Sequence, residues 1–170
     1  MKPFCDQYGC LQPIEASDLE LIRSWRNSDR VRSAMFSDGL IDAEQQRQWF
    51  AGLQGVQDRC YLLYRQSERG LGLVYFTEID RVAGEAHWGF YVGADDAPAG
   101  CGTSMCRLGL MYAREVLQLQ RIIGEVLADN LRSQSLHLRL GFALEQRRAA
   151  QALKEGIPRD VLRYRLDLTA

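Results

Sequence analysis

Apolar and polar positions change period twice along the chain, and the changes divide it into three stretches. In the first, Leu19, Ile22 and Trp25 recur at helical spacing behind Ser17, which the pattern predicts as an N-cap. Trp49, Phe50 and Leu53 follow an Asp42/Gln45 pair with capping-box spacing, and Leu11 to Ile14 reads as a short strand ahead of both helices. In the second stretch Cys60 to Tyr64, Gly70 to Asp80 and Glu85 to Val92 are rich in Tyr, Val, Phe and Leu. Ser67-Glu68-Arg69-Gly70 and Ala83-Gly84 separate them, which predicts a three-strand antiparallel meander. The third opens with a Gly/Ala/Pro/Asp loop, Gly93 to Gly102, that feeds a helix carrying Cys101, Met105, Leu108, Tyr112 and Val116. Arg121 to Leu127 then reads as a buried strand and Asn130 to Leu140 as a helix ended by Gly141 in the left-handed region. Phe142 to Leu153 and Asp160 to Leu168 read as two strands around Gly156-Ile157-Pro158. This order predicts one α+β domain on a mixed sheet.

Composition narrows the function classes. With 170 residues, 46% of them apolar, the chain can bury one substantial core. Lys plus Arg number 21 against 22 Asp plus Glu, a net charge of −1, so no basic excess is present to neutralise a nucleic-acid backbone. The longest strongly apolar run, Leu71 to Phe76, is far short of the roughly 20 residues of a membrane span, and Met1 to Cys10 lacks the apolar core of a signal peptide. A soluble, cytoplasmic protein without a nucleic-acid or membrane partner is expected. The five cysteines include no Cys-x-x-Cys pair, and His87 and His137 are the only histidines, so no metal site is expected. The thiols are expected to be reduced, buried or idle, with Cys101 alone placed at a helix start that could lower a thiol pKa.

Gly100-Cys101-Gly102-Thr103 combines a tight turn with a helix head, where free N–H groups and the helix dipole favour an anion. It is not a Walker loop, because Gly-x-x-x-x-Gly-Lys-[Ser/Thr] is absent, nor a dinucleotide loop, because Met105 stands where the third glycine would be. Alone it reads first as a tight turn packed on the sheet and only second as a phosphate cradle. Two later segments add to it: Arg121-Ile122-Ile123-Gly124-Glu125-Val126, and Asn130-Leu131-Arg132-Ser133 running on to Leu136-His137-Leu138-Arg139-Leu140-Gly141-Phe142. The order Gly-x-Gly, Glu-Val, Asn-x-x-Ser, Leu-His-x-x-x-Gly-Phe resembles the GNAT superfamily of acyl-CoA-dependent N-acetyltransferases. The resemblance implies the GNAT fold, a mixed, mostly antiparallel sheet of about seven strands with helices on both faces, and acetyl-CoA as co-substrate. It also implies pyrophosphate binding by the amides of Ala99, Gly100, Cys101, Gly102 and Thr103, and pantetheine along the backbone of Phe90, Tyr91 and Val92. Asn130 and Ser133 would bind CoA, cap the helix, or both. Ala97 and Pro98 depart from the family loop, which carries a polar side chain at the first position, and Pro98 removes a backbone donor.

Trp25-Arg26-Asn27, Val31-Arg32-Ser33-Ala34-Met35, Ile41-Asp42-Ala43-Glu44, His87-Trp88-Gly89-Phe90-Tyr91 and Asp160-Val161 narrow the resemblance. They are similar to the branch that acetylates UDP-4-amino-4,6-dideoxy-N-acetyl-β-L-altrosamine, a pseudaminic acid precursor. The ribosomal-protein N-terminal acetyltransferases are a nearby branch that shares the Trp-Arg-Asn start. The sugar-nucleotide branch implies a nucleotide-sugar partner held by Arg26, Met35, Phe36, Gln46 and Trp49, with Arg26 a planar fork for the diphosphate and Met35, Phe36 and Trp49 flat faces for uracil. That branch often carries histidine where Gln46 falls. A homodimer is compatible with the resemblance.

Acetyl transfer to an amine needs a neutral nucleophile, a stabilised oxyanion and a proton for the leaving thiolate. His137 falls where many GNAT enzymes place a tyrosine that protonates sulfur. Glu125, on an apolar strand, would gain a raised pKa by burial and serve as base, or else pair with an arginine. His87 could relay the amine proton through water, with Thr77 and Glu78 orienting that water. A CoA-binding protein without catalysis is the third reading, from a different class.

Overall fold

A computed structural model describes residues 2–168. One eight-stranded sheet runs β1-β2-β3-β4-β5-β6-β8-β7. Its strands are β1 (Phe4–Asp6), β2 (Gly9–Pro13), β3 (Cys60–Gln66), β4 (Arg69–Asp80), β5 (Glu85–Val92), β6 (Arg121–Leu127), β7 (Ala143–Lys154) and β8 (Ile157–Asp167). Every neighbouring pair is antiparallel except β5–β6. The eighth strand is β1, too short and too polar to show a period of its own. Asp6 accepts the N–H groups of Tyr8 and Gly9 (2.7 and 3.1 Å) and so folds β1 back on β2. That turn puts Cys5 opposite Cys10, and the two are disulfide-bonded. The expectation of reduced cysteines is thereby corrected for this pair; Cys60, Cys101 and Cys106 are free thiols.

Alternation along the strands splits the core between the two faces of the sheet. Leu62, Val74, Phe76 and Trp88 look one way and pack on α4 (Cys101–Glu115) through Met105, Leu108 and Tyr112, and on α5 (Leu131–Arg139) through Leu136. Leu63, Leu73 and Tyr91 look the other way, against Ile22 and Trp25 of α1 (Leu19–Asn27) and Val31 of α2 (Asp29–Arg32). The α3 helix (Ala43–Ala51) keeps its predicted Asp42/Gln45 capping box. Ser17 is not a cap: it lies inside a 3-10 turn, Ala16–Asp18, where Glu15 and Asp18 form the reciprocal box instead. Gly141 takes the predicted left-handed conformation, with φ of 92°. Ile157 and Pro158, expected in the turn, belong to β8, because the reversal is completed by Glu155 and Gly156.

Candidate active site

The parallel pairing of β5 with β6 runs from Glu85 opposite Arg121 to Trp88 opposite Gly124 and then stops, although both strands continue. The parting strands open a cleft of ≈ 400 Å³ lined by Phe90, Tyr91, Val92, Gly102, Asn130 and Ser133. The edge of β5 beyond Trp88 is therefore free to pair with an extended ligand as with another strand. At the far end Gly100 is the N-cap of α4; its left-handed φ of 83° suits glycine, and the helix start has no side-chain cap. An uncapped helix head beside a free strand edge fits a pyrophosphate followed by an extended pantetheine. The intervening loop is tied down by Arg30, which donates to the carbonyls of Val92 (2.9 Å) and Gly93 (2.8 Å) and to Asp95 (2.9 Å), and by an Arg69–Asp96 ion pair. Of the loop residues expected to hold the pyrophosphate, Gly102 lines the cleft; Ala99, Gly100, Cys101 and Thr103 form the turn and first helical residues beside it. Cys101 is buried and burial pushes its thiol pKa up, so the expected lowering at the helix start does not occur.

A second cavity of ≈ 460 Å³ opens between α1, α3 and the opposite side of β5, lined by Arg26, Met35, Gln46, Trp49, Tyr61 and Tyr75 among others. Met35, Tyr75 and Tyr91 line both spaces and form their shared wall. Tyr75 lies over Gly89, where any Cβ would fall 2.2 Å from its ring, so glycine at this position is what admits the phenol. Tyr75 stacks on Tyr61 (5.2 Å, 19°), and Trp49 meets Tyr61 edge-on (4.9 Å, 87°), giving the cavity an aromatic wall. Three polar atoms in this cavity are buried without a protein partner: Arg26 Nη1, Gln46 Nε2 and Tyr91 Oη. All three can donate a hydrogen bond, and no aspartate or glutamate stands among the described residues that line the cavity. The Trp25-Arg26-Asn27 triplet thus acquires three separate jobs. Trp25 packs over Gly93, Arg26 enters the cavity, and Asn27 exchanges two 2.8 Å hydrogen bonds with the backbone of Ile41 to hold the segment before α3. Phe36, expected at the acceptor, lines the cofactor cleft instead, and Thr77 lines that cleft beside His87.

The acid–base candidates separate sharply. His137 is 2% exposed, and both ring nitrogens are committed. Indole N–H can only donate, so Nε2, 3.2 Å from Trp88 Nε1, is the acceptor, and Nδ1–H donates to the Ser133 carbonyl at 2.8 Å. Gly124 makes room for this pair, since a Cβ there would fall 2.4 Å from Nε2. Burial lowers the imidazole pKa, against a smaller opposing effect of the Ser133 bond. This neutral, doubly bonded ring is a packing element between Trp88, Phe142 and Tyr164, and it has no free proton to give a leaving thiolate. His137 still borders the cleft, but the expected role as acid finds no free ring proton in this arrangement. The linkage has a definite sign. An unfolded chain protonates this histidine near its ordinary pKa of 6.5, whereas the folded ring resists protonation, so its contribution to stability is complete above 6.5 and is lost as pH falls through the lowered folded value. The midpoint of thermal unfolding should therefore fall between pH 7 and 5.5. His137→Gln should be less stable but show a shallower fall, and parallel curves for the two proteins would remove this histidine as the cause.

Glu125 lines the cleft but is ion-paired with Arg148 and lies 3.6 Å from Arg163 Nη1. The pairing with arginine, one of the two readings its strand position left open, is the one found for this carboxylate. Asn130 Oδ1 accepts the Ser133 N–H at 3.1 Å, so its carbonyl is the cap of α5, while both residues still border the cleft. His87 is different: its side chain is 25% exposed, it faces the cleft opposite Thr77 of β4, and Glu78 Oε2 lies 3.8 Å from its Nε2. Thr77 and Glu78 could not both face one side of a regular strand. A register break between Thr77 and Asp80, with Glu78 at φ of 51°, turns the carboxylate to the same side. Sequence reasoning missed Tyr75, Arg30 and Arg132 as lining residues; the alternation Tyr75, Thr77 along β4 was the available signal for the first.

The chain belongs to the GNAT acetyltransferase family, whose acetyltransferase (GNAT) domain model matches residues 10–143. It is 30% identical over 121 residues to "Putative ribosomal N-acetyltransferase YdaF" of Bacillus subtilis (strain 168), covering 71% of this chain and 63% of that protein. The chain thus matches less than two thirds of the length of that curated relative. In three dimensions it is similar to spermidine N-acetyltransferase from Vibrio cholerae in complex with CoA and spermine. The TM-score is 0.90 at 18% identity, over 96% of this chain and 97% of the other. That likeness establishes the fold alone.

Proposed function

We propose that this protein is an acetyl-CoA-dependent N-acetyltransferase whose acceptor is the C4 amine of a UDP-linked 4-amino-4,6-dideoxy sugar. Acetyl-CoA supplies the activated acyl group; everything else falls to this chain. The free edge of β5 and the head of α4 hold the extended cofactor and leave its acyl end at the shared wall. His87, backed by the Glu78 carboxylate and Thr77, takes the amine proton directly or through one water, so that a neutral amine reaches the acyl carbon. The phenol of Tyr75 stands at the shared wall, and burial raises its pKa, which keeps it protonated as an O–H donor toward the departing sulfur.

The observation that carries the acceptor assignment is the second cavity: three unpartnered donors, one of them on Arg26, an aromatic wall and no carboxylate among the described lining residues. A polyamine is a polycation and calls for carboxylates, whereas a diphosphate joined to a flat base matches donors and aromatic rings. The ribosomal-protein reading draws on the named relative, and it needs a groove for an extended peptide. Mass spectrometry of products from acetyl-CoA with UDP-4-amino sugars, spermidine and amino-terminal peptides separates the readings. Arg26→Ala removes a charge-assisted contact worth about 1.5–3 kcal/mol and should lower kcat/KM for the UDP-sugar about 10- to 100-fold. Acetylation of a peptide or of spermidine with the UDP-sugars inert would overturn the acceptor and leave the fold assignment standing.

A further inference from the structure

The β7–β8 hairpin reverses at Glu155 and Gly156, both in the left-handed region with φ of 51° and 75°, the pattern of a tight two-residue turn. This turn fixes where Lys154, paired with Ile157 at the hairpin end, sends its side chain. Unlike most of β7, which is exposed, Lys154 is only 6% exposed. Burying an ammonium group is costly unless its protons find acceptors. Here Nζ donates to the carbonyl of Arg32 at 2.6 Å and to that of Met35 at 2.9 Å, across more than a hundred residues of sequence. Backbone carbonyls each have two lone pairs, and although the Arg32 carbonyl already accepts the Met35 N–H at 3.2 Å, it and the Met35 carbonyl can still take an ammonium proton each.

A second bond ties the same two segments: Glu155 N–H donates to Asp38 Oδ2 at 2.7 Å. That bond leads in holding the Asp38 carboxyl below its usual range, with Lys154 and Arg32 adding smaller attractions. Arg32 also donates to the Asp38 carbonyl (3.1 Å), and Arg26 to Ser37 Oγ (3.0 Å). The stretch from Arg32 to Asp38, which contains one side of the shared wall, is thus pinned from the hairpin tip and from the acceptor arginine.

We propose that Lys154 is a positioning residue for the acceptor: from the β7–β8 turn it fixes the backbone of Met35, one of the side chains that cofactor cleft and acceptor cavity share. The proposal rests on the acetyltransferase reading for its kinetic consequence, but not for its structural one. Lys154→Met keeps the length and removes the donors. Amide hydrogen exchange at residues 33–38 should accelerate at least ~10-fold in this variant, with CoA affinity by calorimetry within about 2-fold of wild type. With whichever amine the wild type acetylates, KM for that amine should rise about 10-fold while kcat changes by less than about 3-fold, and Lys154→Arg should restore most of the loss. Unchanged exchange in a folded Lys154→Met protein would overturn the clamp. Faster exchange with unchanged KM would overturn its role in positioning. Should Lys154→Met fail to fold, Asp38→Ala removes the companion bond and must shift exchange and KM in the same direction, or the proposal fails. A wild type that acetylates no amine would defeat the functional reading alone, because the exchange measurement does not depend on it.

Discussion

Replacing His87 by alanine should lower kcat by about 10²- to 10⁴-fold, the usual contribution of a positioned general base, with CoA affinity nearly unchanged. The expectation rests on elimination as well as geometry. Glu125 is held by Arg148, and His137, which also borders the cleft, spends both nitrogens on Trp88 and the Ser133 backbone, which leaves His87 as the lining imidazole with a carboxylate beside it. Glu78→Gln should have a smaller effect of the same sign, since the amide keeps a polar group near the ring but removes its charge. The pair can be checked by presteady-state measurement of acyl transfer, which isolates chemistry from product release. A His87→Ala enzyme with wild-type transfer rate would exclude the histidine and redirect attention to ordered water as the proton acceptor. The same experiment on His137→Gln distinguishes packing from chemistry: reduced stability with a small rate effect is the outcome its buried, doubly bonded ring requires.

Why the sequence laid out the elements around the cleft but not the partners of Glu125 and His137 is a matter of range. Periods of two and 3.6 are local, and they fixed the meander, the helix after the loop, and the strand–helix pair around Glu125 and Asn130 within a residue or two. The capping box at Asp42 and the glycine at 141 are local as well, and both are found in place. Partners distant in sequence are a different kind of information. Nothing in the run Ile123-Gly124-Glu125-Val126 announces that Arg148 and Arg163 will close on the carboxylate, because those arginines arrive through β7 and β8. The helix position of His137 likewise hides the Trp88 indole, which reaches it from another strand past a glycine that keeps the space open. The turn at Tyr8 is short-range but polar, so hydrophobic period missed β1 and with it the Cys5–Cys10 pairing.

Gly102→Asp should abolish detectable CoA binding. Gly102 lines the cleft one residue into α4, and a Cβ there meets only the Val92 side chain at 3.4 Å, an ordinary contact, so the variant is expected to fold. Its carboxylate, however, would project into the space at the helix head, where the favourable field for an anion would be cancelled by a fixed negative charge. At an effective dielectric of about 20, two unit charges 4 Å apart repel by about 4 kcal/mol, which alone corresponds to a Kd increase of nearly 10³-fold. Gly102→Ala provides the steric control: it adds the same Cβ without the charge and should lower affinity by no more than a few-fold. Calorimetric titration of CoA into both variants separates the two causes. Equal losses would assign the effect to shape, and retained affinity in a folded Gly102→Asp protein would remove the head of α4 from the cofactor site. Pro98 contributes no backbone N–H to this loop, so the pyrophosphate has fewer alternative donors, and binding should depend all the more on the amides at the start of α4.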